Sequence, residues 1–151
     1  MTEVLFYRLQ RHRLEEVLPD LLEKTLKRGW RAVVVAGSAE RVEALNAHLW
    51  TWRRDSFLPH GSRADGFAAD QPIWLTDGDD NPNGAQVAFL VDGAGLLPSS
   101  GSYERVCDLF DGNDPAAVQA ARERWTRFKN AGHALSYWRQ GDGGWEKQAE
   151  V

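Results

Sequence analysis

The chain has 151 residues, which suits one domain around a single core and is short for two. Hydrophobic residues make up 42% and charged residues 26%, a globular balance that excludes a disordered chain. A net charge of -4 argues against broad electrostatic binding to nucleic acid and leaves open only a local basic patch.

Glu3–Leu9 (EVLFYRL) is a short apolar run with polar flanks and predicts a buried strand. Between Leu14 and Leu26, apolar residues at Leu14, Val17, Leu18, Leu21, Leu22 and Leu26 fall at helical spacing. Pro19 either kinks that helix or stands near its start, and Gly29 occupies a C-cap position. Arg31–Ala36 (RAVVVA) is apolar, β-branched and too short for a helix, so it predicts a central strand. Ser38 then caps a helix running to about Trp50, with Val42, Leu45 and Leu49 inward. Strands follow at Ile73–Leu75 and Gln86–Val91, separated by the turn-rich DGDDNPNG. Ser102 is expected to cap a short helix reaching Leu109. Asp114-Pro115 opens a longer helix ending near Asn130, ahead of Gly132. His133–Arg139 is a last strand. Residues 1–140 thus form one domain, and 141–151 a flexible tail. Strand and helix alternating at this spacing predict an α/β domain whose central sheet is mostly parallel and flanked by helices.

The opening MTEVLFYRLQ lacks a basic stretch followed by a long apolar one, so no secretory signal is expected. No apolar run approaches the roughly 18–20 residues that cross a bilayer, and a soluble, cytoplasmic protein is expected. Cys107 is the lone cysteine, which excludes an internal disulfide and a cysteine-built zinc site.

Parallel α/β domains commonly bind nucleotides, yet no G-x-x-x-x-G-K-[ST] loop is present. Gly93-Ala94-Gly95 follows a strand but lacks the third glycine and the helix of a dinucleotide site, so a plain turn is the better account. His12, His48, His60 and His133 form no metal-binding pair, and His60 is expected to bond the loop backbone. Cys107, beside Asp108 and placed on the short helix, reads as a small core residue. The acidic group Asp77, Asp79 and Asp80 lacks the closing glutamate of a calcium loop and reads as a solvated turn. No cofactor, metal or catalytic set is expected.

Two segments instead have the make-up of docking surfaces. The chain contains seven tryptophans, a residue that fills cores and also concentrates at protein–protein interfaces. In LWTWRRDSFLPHG, Leu49 to Gly61, Trp50, Trp52, Phe57, Leu58 and Pro59 crowd the end of a helix and the loop behind it. They either fold back over the sheet edge or form an exposed patch for a partner. In the helix PAAVQAARERWTRFKNAG, Val118, Ala121, Trp125 and Phe128 share one stripe. Arg122 and Lys129 lie about 40° and about 20° from Val118, while Arg124 and Arg127 are expected on the opposite face. The cations beside Trp125 are either a solvated rim or a grip for an acidic peptide with an apolar end.

The opening V-x-F-Y-x-L strand (Val4 to Leu9), LW…SFLPH (Leu49 to His60), and ARERW…AGH-x-L…YW (Ala121 to Trp138) come in an order and spacing that resembles the chi subunit of bacterial DNA polymerase III. The resemblance covers roughly Val4 to Arg139. It implies a Rossmann-like fold without nucleotide binding or catalysis. It also implies an adaptor with two partners, the psi subunit of the clamp loader and the acidic, apolar-ended C-terminal tail of single-stranded DNA-binding protein. The residues matching the family's psi-facing surface are Trp50, Phe57 and Pro59. Those matching its tail-binding surface are Arg122 and Trp125. Family members carry lysines where this chain has Val118 and Thr126, which implies a weaker grip on the tail or a contribution from Lys129. Asp108–Ala116 aligns poorly, and no pocket residue is carried over from it. The rivals are a small α/β enzyme, which needs a polar cleft near Gly37, Leu75 and Gly93, and direct binding of single-stranded nucleic acid through the C-terminal helix.

Overall fold

The computed structural model describes residues 2–51, 59–63, 65–94, 102–141 and 144–150. Strands β1 (Glu3–Leu9), β2 (Ala32–Val35), β3 (Ile73–Thr76) and β4 (Val87–Leu90) form where the short apolar runs lie. Helices α1 (Leu14–Lys27), α2 (Ala39–Thr51) and α3 (Pro115–Asn130) follow the helical spacing. The expected stop and start signals operate at their ends. Gly29 takes φ of 86° just past α1, Ser38 Oγ accepts from the Arg41 amide at 3.2 Å, and Asp114 accepts from the Ala116 amide at 3.0 Å.

Pro19 lies inside α1, where it has no N–H to offer the Glu15 carbonyl one turn earlier. His48 on α2 supplies the missing donor, its Nε2 lying 2.6 Å from that oxygen. The helix therefore continues through the proline, and the freed carbonyl ties α1 to α2.

The segment expected to be a short capped helix is instead strand β5, Arg105–Asp111, in the middle of the sheet. Val106, Leu109 and Phe110 satisfy helical spacing as well as strand spacing. The cap signal at Ser102 suggested a helix, but the chain is extended here and the Asp108 carboxylate is buried. Cys107 is a core residue as expected, though on a strand. The second difference is at the C-terminus. After β6 (Ala134–Gly141) the chain does not trail off as a loose tail. It adds β7, Gly144–Glu150.

The result is a seven-stranded sheet in the order β3-β2-β4-β5-β1-β6-β7. Pairing is parallel except between β6 and β7. Alternation along each strand divides the core in two. Leu5 and Leu9 of β1 join α1 and α2 on one face, whereas Val4 and Phe6 join α3 on the other. α3 connects β5 to β6 and packs on those strands, with β1 between them, so its side chains meet the end of β1.

Candidate functional site

The inward residues of α3 are Ala121, Arg124 and Phe128. Arg124 does not face away. Its Nε and terminal nitrogen donate to the two carboxylate oxygens of Asp108 on β5 at 2.6 and 2.9 Å. Both side chains are almost wholly enclosed, at 6% and 2% exposure. Desolvation pushes the Asp108 carboxyl above its ordinary range, while the guanidinium pulls it back. The stripe expected from Val118 to Phe128 is thus rotated toward Ala121 and Phe128, because a paired charge occupies a core position. Burial likewise pushes the Cys107 thiol up to about 12, which leaves it an unreactive thiol.

The rotation moves Val118 and Trp125 from the middle of the packed face to its flank, where they wall a pocket of about 410 Å³ between α3 and the sheet. Phe6 and Phe110 line it from the strands, with Tyr137 of β6 and Ala149 of β7. The rings lock edge to face: Trp125 lies 5.4 Å from Phe6 and 6.4 Å from Tyr137 between centroids. Arg122, exposed on α3, borders the pocket from the helix side, and Arg8 of β1 borders it from the sheet. Lys129 is exposed and is not among the lining residues. Of the three residues singled out on this helix, Arg122 and Trp125 come together in one concavity and Lys129 stays outside it.

The pocket's sheet-side wall, Phe6, Arg8, Phe110, Tyr137 and Ala149, was not singled out from the sequence. Phe6 and Arg8 stand on one face of β1 through period-two spacing. That signal lay in the VLFYRL run and needed only the placement of α3 over it.

The other proposed surface is partly described. Trp50 lies in the last turn of α2 with 53% of its surface exposed, and its ring stands 4.5 Å from that of His60. Pro59 is half-buried, and Phe57 lies outside the described residues. His60 is buried and its Nε2 bonds the Asn46 carbonyl at 3.2 Å, so its backbone partner is helix α2 and not the loop expected from the sequence.

Polar groups at the C-terminal ends of the strands, where an α/β enzyme keeps its cleft, are engaged in holding the loops. Asp92 pairs with Arg41 at 2.8 Å, Ser38 caps α2, and Asp80 accepts from Trp74 Nε1 at 2.8 Å and Thr76 Oγ1 at 2.5 Å. Among the described residues no group of His, Cys, Asp and Glu has the arrangement of a metal site, and no helix is long and apolar enough to cross a membrane.

Residues 1–136 match the sequence model of a family described as DNA polymerase III chi subunit, HolC. A protein of Rickettsia prowazekii (strain Madrid E) named probable DNA polymerase III subunit chi is 39% identical over 71 residues, which cover 47% of this chain and 43% of that protein. The Rickettsia match therefore spans less than half of the relative's own length. The DNA polymerase III subunit chi of Pseudomonas aeruginosa is 27% identical over 121 residues, covering 80% of this chain and 82% of the relative.

Proposed function

Because this chain belongs to the DNA polymerase III chi subunit family, we propose that it is a non-catalytic adaptor of DNA replication that joins a clamp loader to single-stranded DNA-binding protein. In this reading the α3 pocket receives the acidic C-terminal tail of single-stranded DNA-binding protein. The end of α2, with Trp50, Phe57 and Pro59, docks a psi subunit. A place in the cytoplasm, within the replication complex, goes with it.

One observation carries the tail assignment: an apolar cavity walled by Trp125, Phe6 and Phe110 has at its rim the guanidinium of Arg122, which has no carboxylate partner among the described residues. Such a site takes an apolar side chain whose neighbours along the peptide are acidic. The engaged state of Asp92, Asp80 and Ser38 speaks against the enzyme reading, since those groups already hold the loops in which catalysis would sit. For the psi surface, the support is an exposed tryptophan at a helix end, a residue type that anchors interfaces.

The test is a titration with a short acidic peptide ending in Pro-Phe, followed calorimetrically. Saturable one-to-one binding is expected. A peptide of the same length with its acidic residues replaced by serine should bind at least roughly tenfold more weakly. Equal binding of the two peptides, or no binding of either, would remove the tail from the list of ligands.

A further inference from the structure

On the opposite face of the sheet from the α3 pocket, the C-terminal end of α1 leaves a second concavity of about 250 Å³ over β4, β5 and β1. Tyr7, Trp30 and Trp145 give it aromatic rings, and Lys24, Arg28 and Arg105 give it three cations. None of the described residues that line it is acidic, in a chain whose net charge is -4. Gly29, at φ of 86°, turns the chain at the end of α1 and brings Trp30 against Arg28, whose guanidinium carbon stands 4.1 Å from the ring centroid. Arg105 reaches the same ring from β5 at 5.5 Å, and Trp145 lies over Tyr7 at 4.8 Å between centroids. Arg105 Nε is 3.0 Å from a Glu3 oxygen, yet it is buried and out of line for a hydrogen bond. Lys24 pairs with Asp20 at 3.2 Å on the exposed side of the helix, a contact of little strength in water. Arg28 is exposed and has no carboxylate partner among the described residues. A helix C-terminus favours cations for the sake of its dipole, which accounts for Lys24 and Arg28 but not for Arg105, on a strand.

We propose that this hollow binds single-stranded nucleic acid, one base lying against its aromatic rings and the two flanking phosphates on its cations. Stacking rings beside convergent positive charge are what a strand with unpaired bases needs. An acidic peptide fits less well. The floor is the face of a sheet, and β4, β5 and β1 are each paired on both sides, so their backbone groups are already spent. A peptide laid there would leave its own amides without partners, whereas a nucleotide strand has no main-chain amides and carries a charge at every step. The site is short. The neighbouring hollow shares Tyr7 and Arg105 but is lined by Glu3 and Glu150, so the stretch that accepts anions ends at Arg105. A contact this local is compatible with an acidic chain, and it is separate from the basic edge of α3. A peptide in the α3 pocket and a strand here would be held on opposite faces of one sheet, each without obstructing the other.

The experiment follows a labelled single-stranded oligothymidylate by fluorescence anisotropy as the intact chain is added at low salt. Saturable binding is expected, with log affinity falling against log salt at a slope of about -1.4, the value for two phosphates of a single strand. Arg28→Ala should flatten that slope to about -0.7. Arg28→Glu should weaken binding at least roughly tenfold. Trp30→Ala should cost roughly five- to a hundredfold, the range for one stacked base. Should Trp30→Ala fail to fold, the two Arg28 variants still decide, since that side chain is exposed. Arg127→Glu makes the same charge change at an exposed position of α3 and should leave binding in place. An acidic peptide ending in Pro-Phe should not displace the oligonucleotide. Equal losses from Arg28→Glu and Arg127→Glu, displacement by the peptide, or no binding by the wild type overturns the proposal. Peptide binding that Arg28→Glu abolishes also overturns it, by giving the hollow to a peptide. Failure of the peptide to bind the α3 pocket removes the tail reading and leaves this site standing.

Discussion

Arg124 points from α3 into the sheet, and Arg122, on the same helix, borders an open pocket. Arg124 meets Asp108 through two hydrogen bonds in a setting closed to water. Arg122 is exposed, and among the described residues it has no carboxylate partner. Helical spacing puts Arg122 beside the packed stripe and Arg124 opposite it, whereas in the fold Arg124 is the buried one. What separates them is the strand beneath. A carboxylate on β5 turns one arginine into part of the core, while the other stays exposed at the border of an aromatic-walled pocket. A buried ion pair is not strong evidence of net stabilisation, but breaking it from one side strands a charge.

The largest effect should therefore come from Arg124→Ala. It leaves Asp108 enclosed without its partner and should cost about 3–5 kcal/mol of stability by denaturant unfolding. Replacing both residues with leucine should recover most of that loss. A cost under about 1 kcal/mol for Arg124→Ala would mean that the pair opens to water in solution. Arg122→Ala is the complementary change. It should leave the unfolding midpoint in place and lower affinity for the acidic peptide by roughly ten- to a hundredfold. Arg127→Ala, on an exposed position of the same helix, is the matched control and should do neither. Equal losses from Arg122→Ala and Arg127→Ala would reduce the site to net charge.

The comparison extends to the aromatic residues. Trp125 is half-buried in the ring cluster, so its truncation should disturb both stability and peptide binding. Trp50 is exposed, and Trp50→Ala should weaken a complex with a psi subunit by about 2 kcal/mol without lowering stability. A stability loss of similar size would make Trp50 a packing residue. The smallest effect is that of salt. Raising ionic strength from 0.1 to 1 M shortens the screening length from about 10 Å to about 3 Å. Peptide affinity should fall by several-fold, whereas the stability difference between wild type and Arg124→Ala should hardly change.

The arginine pair also marks where sequence ceased to predict the fold. β1 to β4 and all three helices were legible because each follows the rule of apolar residues inward, with Gly29, Ser38 and Asp114 punctuating the ends. β5 was missed and Arg124 was placed on the wrong face for a single reason. Asp108 and Arg124 each violate the polar-outward pattern, and each is permitted inside only by the other. A reading that treats one residue at a time expels both. β7 was missed for a different reason. It is an edge strand exposed along nearly its whole length, with only Trp145 half-buried, so little hydrophobic alternation is left to see. The Gly-Asp-Gly-Gly run before it is hairpin chemistry and was the available signal. At the pocket, the neighbouring places of Arg122 and Trp125 were legible from helical spacing. The strand-borne lining residues were not, because their place at the pocket depends on which strand α3 covers, and that is a property of topology.

Ala149 on β7 contributes a wall of the α3 pocket, yet it lies beyond residue 136, where the match to the family ends. Tyr137 of β6 also lines the cavity and also lies past that limit, so one side of the cavity is built by residues outside the matched stretch. A change of side chain at position 149 would resize the opening without touching α3, the buried ion pair or the core. The width of that opening can thus be altered independently of the fold that supports it.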